Sequence, residues 1–221
     1  MTRPLFTGAC TALVTPFLNG EVNYPMLERL ISRQLEAGIR AIVLCGTTGE
    51  SATLEDEEKL EIIARAKEYV GGDCLIIASS GSNSTEHTIR LSRAAEAAGA
   101  DALLLVSPYY NKATAEGLYQ HFSAAALSVG IPVILYNVPS RTGVDIPVGV
   151  YRRLSAIPNV AGVKEATGDM TKILSIRAQC PADFSVWSGS DDLTVPTLAL
   201  GGRGVISVLS NLYPGLTQTM V

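Results

Sequence analysis

One lysine in this sequence stands where covalent chemistry is within reach. Lys164 directly follows the apolar run Asn159-Val160-Ala161-Gly162-Val163. At the end of a buried strand an amine loses hydration, which favours its neutral form and lowers its pKa. A neutral amine attacks a carbonyl and forms an imine. From position alone, a lysine that snorkels to solvent or pairs with Glu165 fits as well. Tyr136 closes the preceding apolar run. Imine chemistry needs protons moved at the carbinolamine and enamine steps, and a nearby phenol can carry them. The plain alternative is a half-buried tyrosine whose hydroxyl is satisfied. Gly46-Thr47-Thr48-Gly49 is a tight turn with two hydroxyls. Its backbone N–H groups, opening toward a helix, could bind a carboxylate, or the turn is only a connection. Arg141 could hold a second carboxylate with its planar fork, or be a solvated loop arginine.

These residues need a frame that gathers them. Short apolar runs alternate with longer amphipathic segments along the whole chain. Strands are predicted at 10–14, 41–44, 75–78, 102–106, 133–136, 160–164, 184–187 and 204–208. Helices are predicted at 24–37, from 53 to about 70, 85–98, 115–127, 148–154, 170–179 and 193–200. Thr53 followed by Asp56 resembles a capping box with Asp in place of Glu or Gln. Repeated strand–helix units with right-handed crossovers make a parallel sheet with helices outside. About eight such strands fit a single (β/α)8 barrel domain over residues 1–221. An open doubly wound sheet is the alternative, but it usually carries a Gly-rich turn after its first strand. Here that position reads Thr15-Pro16-Phe17. The barrel reads as truncated after its last strand, since only a short helix fits between Pro214 and Val221.

In such a barrel the reacting groups sit at the C-terminal ends of the strands. All the residues above fall there, and Ser107-Pro108-Tyr109-Tyr110-Asn111 joins them. Composition narrows the rest. With 47% hydrophobic and 17% charged residues, much of the 221-residue chain must be inside. A formal net charge of -4, with no run of lysine and arginine, argues against nucleic acid and anionic membranes as partners. Cys10, Cys45, Cys74 and Cys180 form no Cys-x-x-Cys pair and read as small buried thiols of a reducing cytoplasm. The start Met1-Thr2-Arg3-Pro4 does not read as a signal peptide. His87 and His121 lack metal-spaced partners, so no metal site is expected. Asp191-Asp192 reads as a charge pair at a helix N-terminus.

In combination, Gly46-Thr47-Thr48-Gly49-Glu50-Ser51, Pro108-Tyr109-Tyr110-Asn111, Tyr136-Asn137-Val138-Pro139-Ser140-Arg141-Thr142-Gly143 and Lys164-Glu165-Ala166-Thr167-Gly168 resemble the dihydrodipicolinate synthase / N-acetylneuraminate lyase superfamily of class I aldolases, most closely its dihydrodipicolinate synthase branch. The resemblance covers nearly the whole chain. It implies that Lys164 forms the imine with pyruvate and that Tyr136 passes protons in a relay completed by Thr47 and Tyr110. The tyrosine at the position of Tyr110 reaches into a neighbouring subunit in that family, so a homodimer or homotetramer is implied. Thr48 would bind the keto-acid carboxylate, Ile206 and Gly189 would line the same pocket, and Arg141 would receive the carboxylate of aspartate semialdehyde. No metal or organic cofactor is implied.

The family also has a lysine-feedback site, which Ser51, Ala52, Asn83 and Tyr109 match. Lys59 and His87 depart from it, and a cation at Lys59 would repel an effector's ammonium. Weak or absent lysine inhibition is expected. Two other functions remain open from the sequence: another pyruvate-dependent aldolase of the superfamily, acting on sialic acid or a keto-deoxy-sugar acid, and a catalytically silent barrel serving as a binding module.

Overall fold

A computed structural model describes residues 4–221. Eight parallel strands close into a barrel: β1 (Gly8–Ala12), β4 (Ala41–Leu44), β5 (Leu75–Ser79), β6 (Ala102–Val106), β7 (Val133–Asn137), β8 (Val160–Glu165), β9 (Ser185–Ser188) and β10 (Gly204–Ser207). Pairing of β1 with both β4 and β10 completes the ring. The main outer helices are α1 (Tyr24–Glu36), α2 (Asp56–Val70), α3 (Thr85–Ala97), α4 (Ala115–Ala126), α6 (Val148–Leu154), α7 (Met170–Gln179) and α8 (Thr194–Ala199). The expected (β/α)8 barrel is the observed fold.

Strand alternation divides the core in two. Leu103 and Leu105 of β6, and Val133 and Leu135 of β7, pack outward against the helices. Ala102, Leu104, Ile134 and Tyr136 pack inside the barrel with Cys10, Val43, Ile77, Trp187 and Ile206. Burial of both faces explains why the strands read as continuous apolar runs rather than alternating ones. All four cysteines are free and buried, as expected.

The elements differ from expectation in three places. The N-cap of α2 is Glu55, which forms a reciprocal capping box with Glu58. Thr53 instead donates its hydroxyl to the Glu50 carbonyl. A small hairpin, β2 (Phe17–Leu18) with β3 (Glu21–Val22), follows β1; its two-residue strands are too short to give a periodic signal. A single-turn helix, α5 (Pro139–Thr142), starts at a proline in the loop after β7 and carries Arg141. After β10 the chain forms α9 (Pro214–Met220), a helix of 7 residues and the short helix expected there. Among the described residues, no helix is long and apolar enough to cross a membrane.

Candidate active site

The barrel mouth opens into a cavity of about 470 Å³ at the C-terminal ends of the strands. Thr47, Thr48, Tyr136, Arg141, Lys164 and Gly189 line it. Six of the residues singled out from the sequence therefore meet in one space. Another cavity, about 300 Å³, includes Pro132, Pro158 and Phe184, and among the described residues no lysine, arginine or tyrosine lines it.

Lys164 and Tyr136 are direct partners in the register of β7 and β8. Their side chains share the inner face, and the Lys164 Nζ lies 4.4 Å from the centre of the Tyr136 ring. Lys164 is only 5% exposed. Burial pulls its pKa from 10.5 down to about 8; Cys10 and Asp191 oppose the shift, and the Arg141 charge assists it. The amine is thus partly neutral near neutral pH and faces the cavity. Glu165, the partner that a snorkelling lysine could have taken, points to the opposite face and is near Lys172, at 4.0 Å.

Burial raises the Tyr136 pKa, while the Arg141 charge and a hydrogen bond with the Thr47 side chain pull it back. A phenol coupled to a hydroxyl beside an amine is equipped to shuttle a proton. Thr48 lies on the same turn as Thr47 and also lines the cavity. Arg141 is exposed at the mouth.

Gly189 has a steric role that composition does not reveal. A Cβ there would lie 2.7 Å from the Ala166 Cβ and 3.2 Å from the Lys164 Cε. The missing side chain leaves the room that the lysine stem occupies. Its backbone N–H also donates to the Glu165 carbonyl at 2.8 Å, tying the end of β9 to β8 beside the Lys164 amine.

Two expected residues do not line this cavity. Ile206 is fully buried in the barrel interior, paired with Cys10. Tyr110 is 89% exposed and adopts a positive φ of 72°. Its backbone N–H donates to the Thr142 carbonyl at 3.2 Å, which anchors the loop while the ring projects away.

A second cavity, about 420 Å³, shares Thr47, Tyr136, Val138 and Arg141 with the first. Ser51, Ala52 and Tyr109 line it, with Lys59 and His87. Asn83 is not among its lining residues; its carbonyl accepts from the Asn111 side chain at 3.3 Å. Asp56 anchors both side chains, with Lys59 at 3.3 Å and His87 at 2.7 Å.

Sequence reading missed the role of Asp191. Its carboxylate accepts from the Ser207 hydroxyl and from the N–H groups of Val208 and Leu209, at 3.1 and 3.0 Å. It stitches the loop after β9 to the loop after β10. Nothing in the local pattern distinguishes this from a helix-start aspartate, because the partners lie 16 to 18 residues away.

The protein-family model of the dihydrodipicolinate synthetase family matches residues 5–221. The 4-hydroxy-tetrahydrodipicolinate synthase of Acetivibrio thermocellus is 49% identical over 222 residues, covering 100% of this chain and 75% of that protein. Among solved structures, the 4-hydroxy-tetrahydrodipicolinate synthase of the methanotroph Methylacidiphilum fumariolicum SolV superposes with a TM-score of 0.95 at 45% identity, over 96% of this chain and 71% of that one. The lysine-bound enzyme of Cyanidioschyzon merolae superposes equally well, with a TM-score of 0.95 at 41% identity, over 98% of this chain and 74% of that one.

Proposed function

The chain belongs to the dihydrodipicolinate synthetase family, and on that footing we propose that it condenses pyruvate with L-aspartate 4-semialdehyde to 4-hydroxy-tetrahydrodipicolinate, a step of lysine and diaminopimelate biosynthesis, with Lys164 as the Schiff-base amine. The observation that carries the residue assignment is the buried Lys164 amine, with a pKa near 8, facing Tyr136 in a cavity that also holds Thr47, Thr48 and Arg141.

The neutral Lys164 amine adds to the pyruvate ketone. The carbinolamine loses water to give an imine, with Tyr136 and Thr47 handling the protons. Thr48 and the adjoining turn hold the pyruvate carboxylate. Loss of a methyl proton from the imine gives an enamine, and its carbon adds to the aldehyde of the second substrate. Arg141, exposed at the mouth, receives that substrate's carboxylate through its planar fork. Attack of the substrate amine on the enzyme-bound imine closes the ring and frees Lys164. The residues place acid–base and nucleophilic groups together without calling on a metal ion or organic cofactor.

Tyr110 completes the relay from a neighbouring subunit. Its ring is 89% exposed on a loop pinned to Thr142, which suits a side chain that reaches out of its own barrel. The working form is therefore a homodimer or homotetramer, and the protein is cytoplasmic. Another aldolase of the superfamily would share Lys164 and Tyr136 but take a different aldehyde. Incubation of the protein and pyruvate with either aspartate semialdehyde or N-acetylmannosamine separates the readings. Turnover with aspartate semialdehyde is expected; turnover only with N-acetylmannosamine overturns the assignment.

A further inference from the structure

The inward direction of Lys164 is not a simple consequence of strand alternation. Val160 packs outward against the helices. With strict alternation from Val160, residue 164 would also point outward. The pairing of β7 with β8 shifts between Val133 and Ile134: Val133 pairs with Val160, but Ile134 pairs with Gly162. One extra residue is thus inserted in β8, and every side chain beyond it changes face. Val163 packs outward, and Lys164 joins Tyr136 on the inside. Gly162 permits the insertion, since a Cβ there would lie 2.0 Å from the Ser185 carbonyl oxygen.

A bulge sets the register at one end of β8. A buried polar cluster holds it at the other. Glu165, the residue after Lys164, is 4% exposed and points outward. Its carboxylate accepts from the Asn137 side chain of β7 at 2.9 and 3.1 Å. It also accepts from the Tyr151 hydroxyl of α6 at 3.1 Å and from the Thr167 backbone at 3.0 Å. Asn137 is in turn fixed at both ends of its amide: it donates to Asp145 at 2.8 Å and accepts from the Ile146 N–H at 3.1 Å. Lys172 of α7 bridges Asp145 and Glu165. The pair Asn137–Glu165 lies one step beyond the pair Tyr136–Lys164 in the same register. A clamp on the outer face thus fixes the geometry of the reacting pair on the inner face.

We propose that Glu165 is a positioning residue for the Schiff-base lysine: clamped to Asn137, it holds β8 in the bulged register that turns Lys164 into the cavity beside Tyr136. The inference rests on the assignment of Lys164 as the imine-forming amine. Glu165 does not touch the substrate. It acts by keeping the amine buried and aimed, and misplacement of a reacting group by about an ångström can cost on the order of a hundredfold in rate.

The test uses Glu165→Gln and Asn137→Ala, which break the clamp from opposite sides. The rate of pyruvate trapping by cyanoborohydride is followed against pH on protein shown by circular dichroism to be folded. Positioning and simple charge predict opposite signs for Glu165→Gln. Removing a negative charge lowers the pKa of a nearby amine by Coulomb's law. Loosening the clamp hydrates Lys164 and raises it. The expected result is a loss of about tenfold or more in trapping rate at pH 7 in both variants, with the pH inflection moved upward from that of the parent. Rates within twofold of the parent, or an inflection that moves downward in Glu165→Gln, overturn the proposal. If Glu165→Gln does not fold, Asn137→Ala alone decides, because it leaves the charge in place. Failure of the parent protein itself to trap pyruvate would instead count against the assignment of Lys164.

Discussion

Burial of Lys164 has a cost and a use, and both can be measured through one ring. The Tyr136 ring lies 4.4 Å from the Lys164 Nζ and helps keep water from it. With its pKa at about 8 rather than 10.5, the neutral fraction of the amine at pH 7 is about 9% instead of about 0.03%, roughly a 300-fold gain in reactive form. Tyr136→Phe keeps the ring and removes the hydroxyl. Tyr136→Ala removes both. The initial rate of pyruvate imine formation, trapped with cyanoborohydride and followed by intact mass, is measured from pH 6 to pH 10. The parent is expected to show an inflection near 8, matching the pKa of Lys164. Tyr136→Phe keeps that inflection and lowers the plateau by about a hundredfold, the usual scale of one acid–base group. Tyr136→Ala lowers the plateau and moves the inflection upward, because water reaches the amine. An inflection near 10.5 in the parent would refute the idea that burial activates the lysine. An unmoved inflection in Tyr136→Ala would refute the role given to the ring.

The same burial should appear in stability. The folded-state pKa of Lys164 lies below the unfolded value, so the penalty is fully present below about pH 8 and is relieved as pH rises toward 10.5. Lys164→Met should therefore stabilise the protein at pH 7 by up to about 3 kcal/mol in urea unfolding, with the gain shrinking at higher pH; a destabilised variant would contradict this. Gly162→Ala drives a Cβ into the Ser185 carbonyl and should cost about 3 kcal/mol or more, or abolish soluble expression; a shift of less than 1 kcal/mol would show that the bulge tolerates a side chain. Arg141→Ala should raise KM for aspartate semialdehyde by at least about tenfold while pyruvate trapping stays near the parent rate; equal damage to both would place Arg141 elsewhere in the reaction. L-Lysine at millimolar concentration should leave the rate unchanged, since Lys59 and His87 line the second cavity; clear inhibition at sub-millimolar lysine would overturn that expectation.

Much of this was legible in the sequence for a physical reason. Eight strands buried on both faces appear as short apolar runs, and helices packed on one side appear as amphipathic segments, so the barrel could be read from hydrophobicity alone. The residues that follow those runs then share one end of the barrel, which is why Thr47, Thr48, Tyr136, Arg141 and Lys164 could be grouped before any coordinates. What escaped depends on register and distance. The bulge at Gly162 inverts the face of Lys164, and a glycine between Ala161 and Val163 does not announce it. The Asn137–Glu165 clamp joins residues 28 apart, and the Asp191 stitch joins two loops. Thr53 resembles a cap because it stands just before the helix, yet Glu55, two residues nearer, closes a box with Glu58. The roles of Tyr110 and Ile206 came only through resemblance, and a single chain does not bring either to the cavity lining.

Everything in the account turns on which atom captures pyruvate. Protein incubated with pyruvate and then borohydride is digested, and the modified peptide is sequenced by mass spectrometry. The account predicts one reduced pyruvyl adduct, on Lys164, and none when Lys164→Met is treated in the same way. An adduct on Lys59 or Lys172 with Lys164 unmodified, or no adduct in the parent protein, would contradict it.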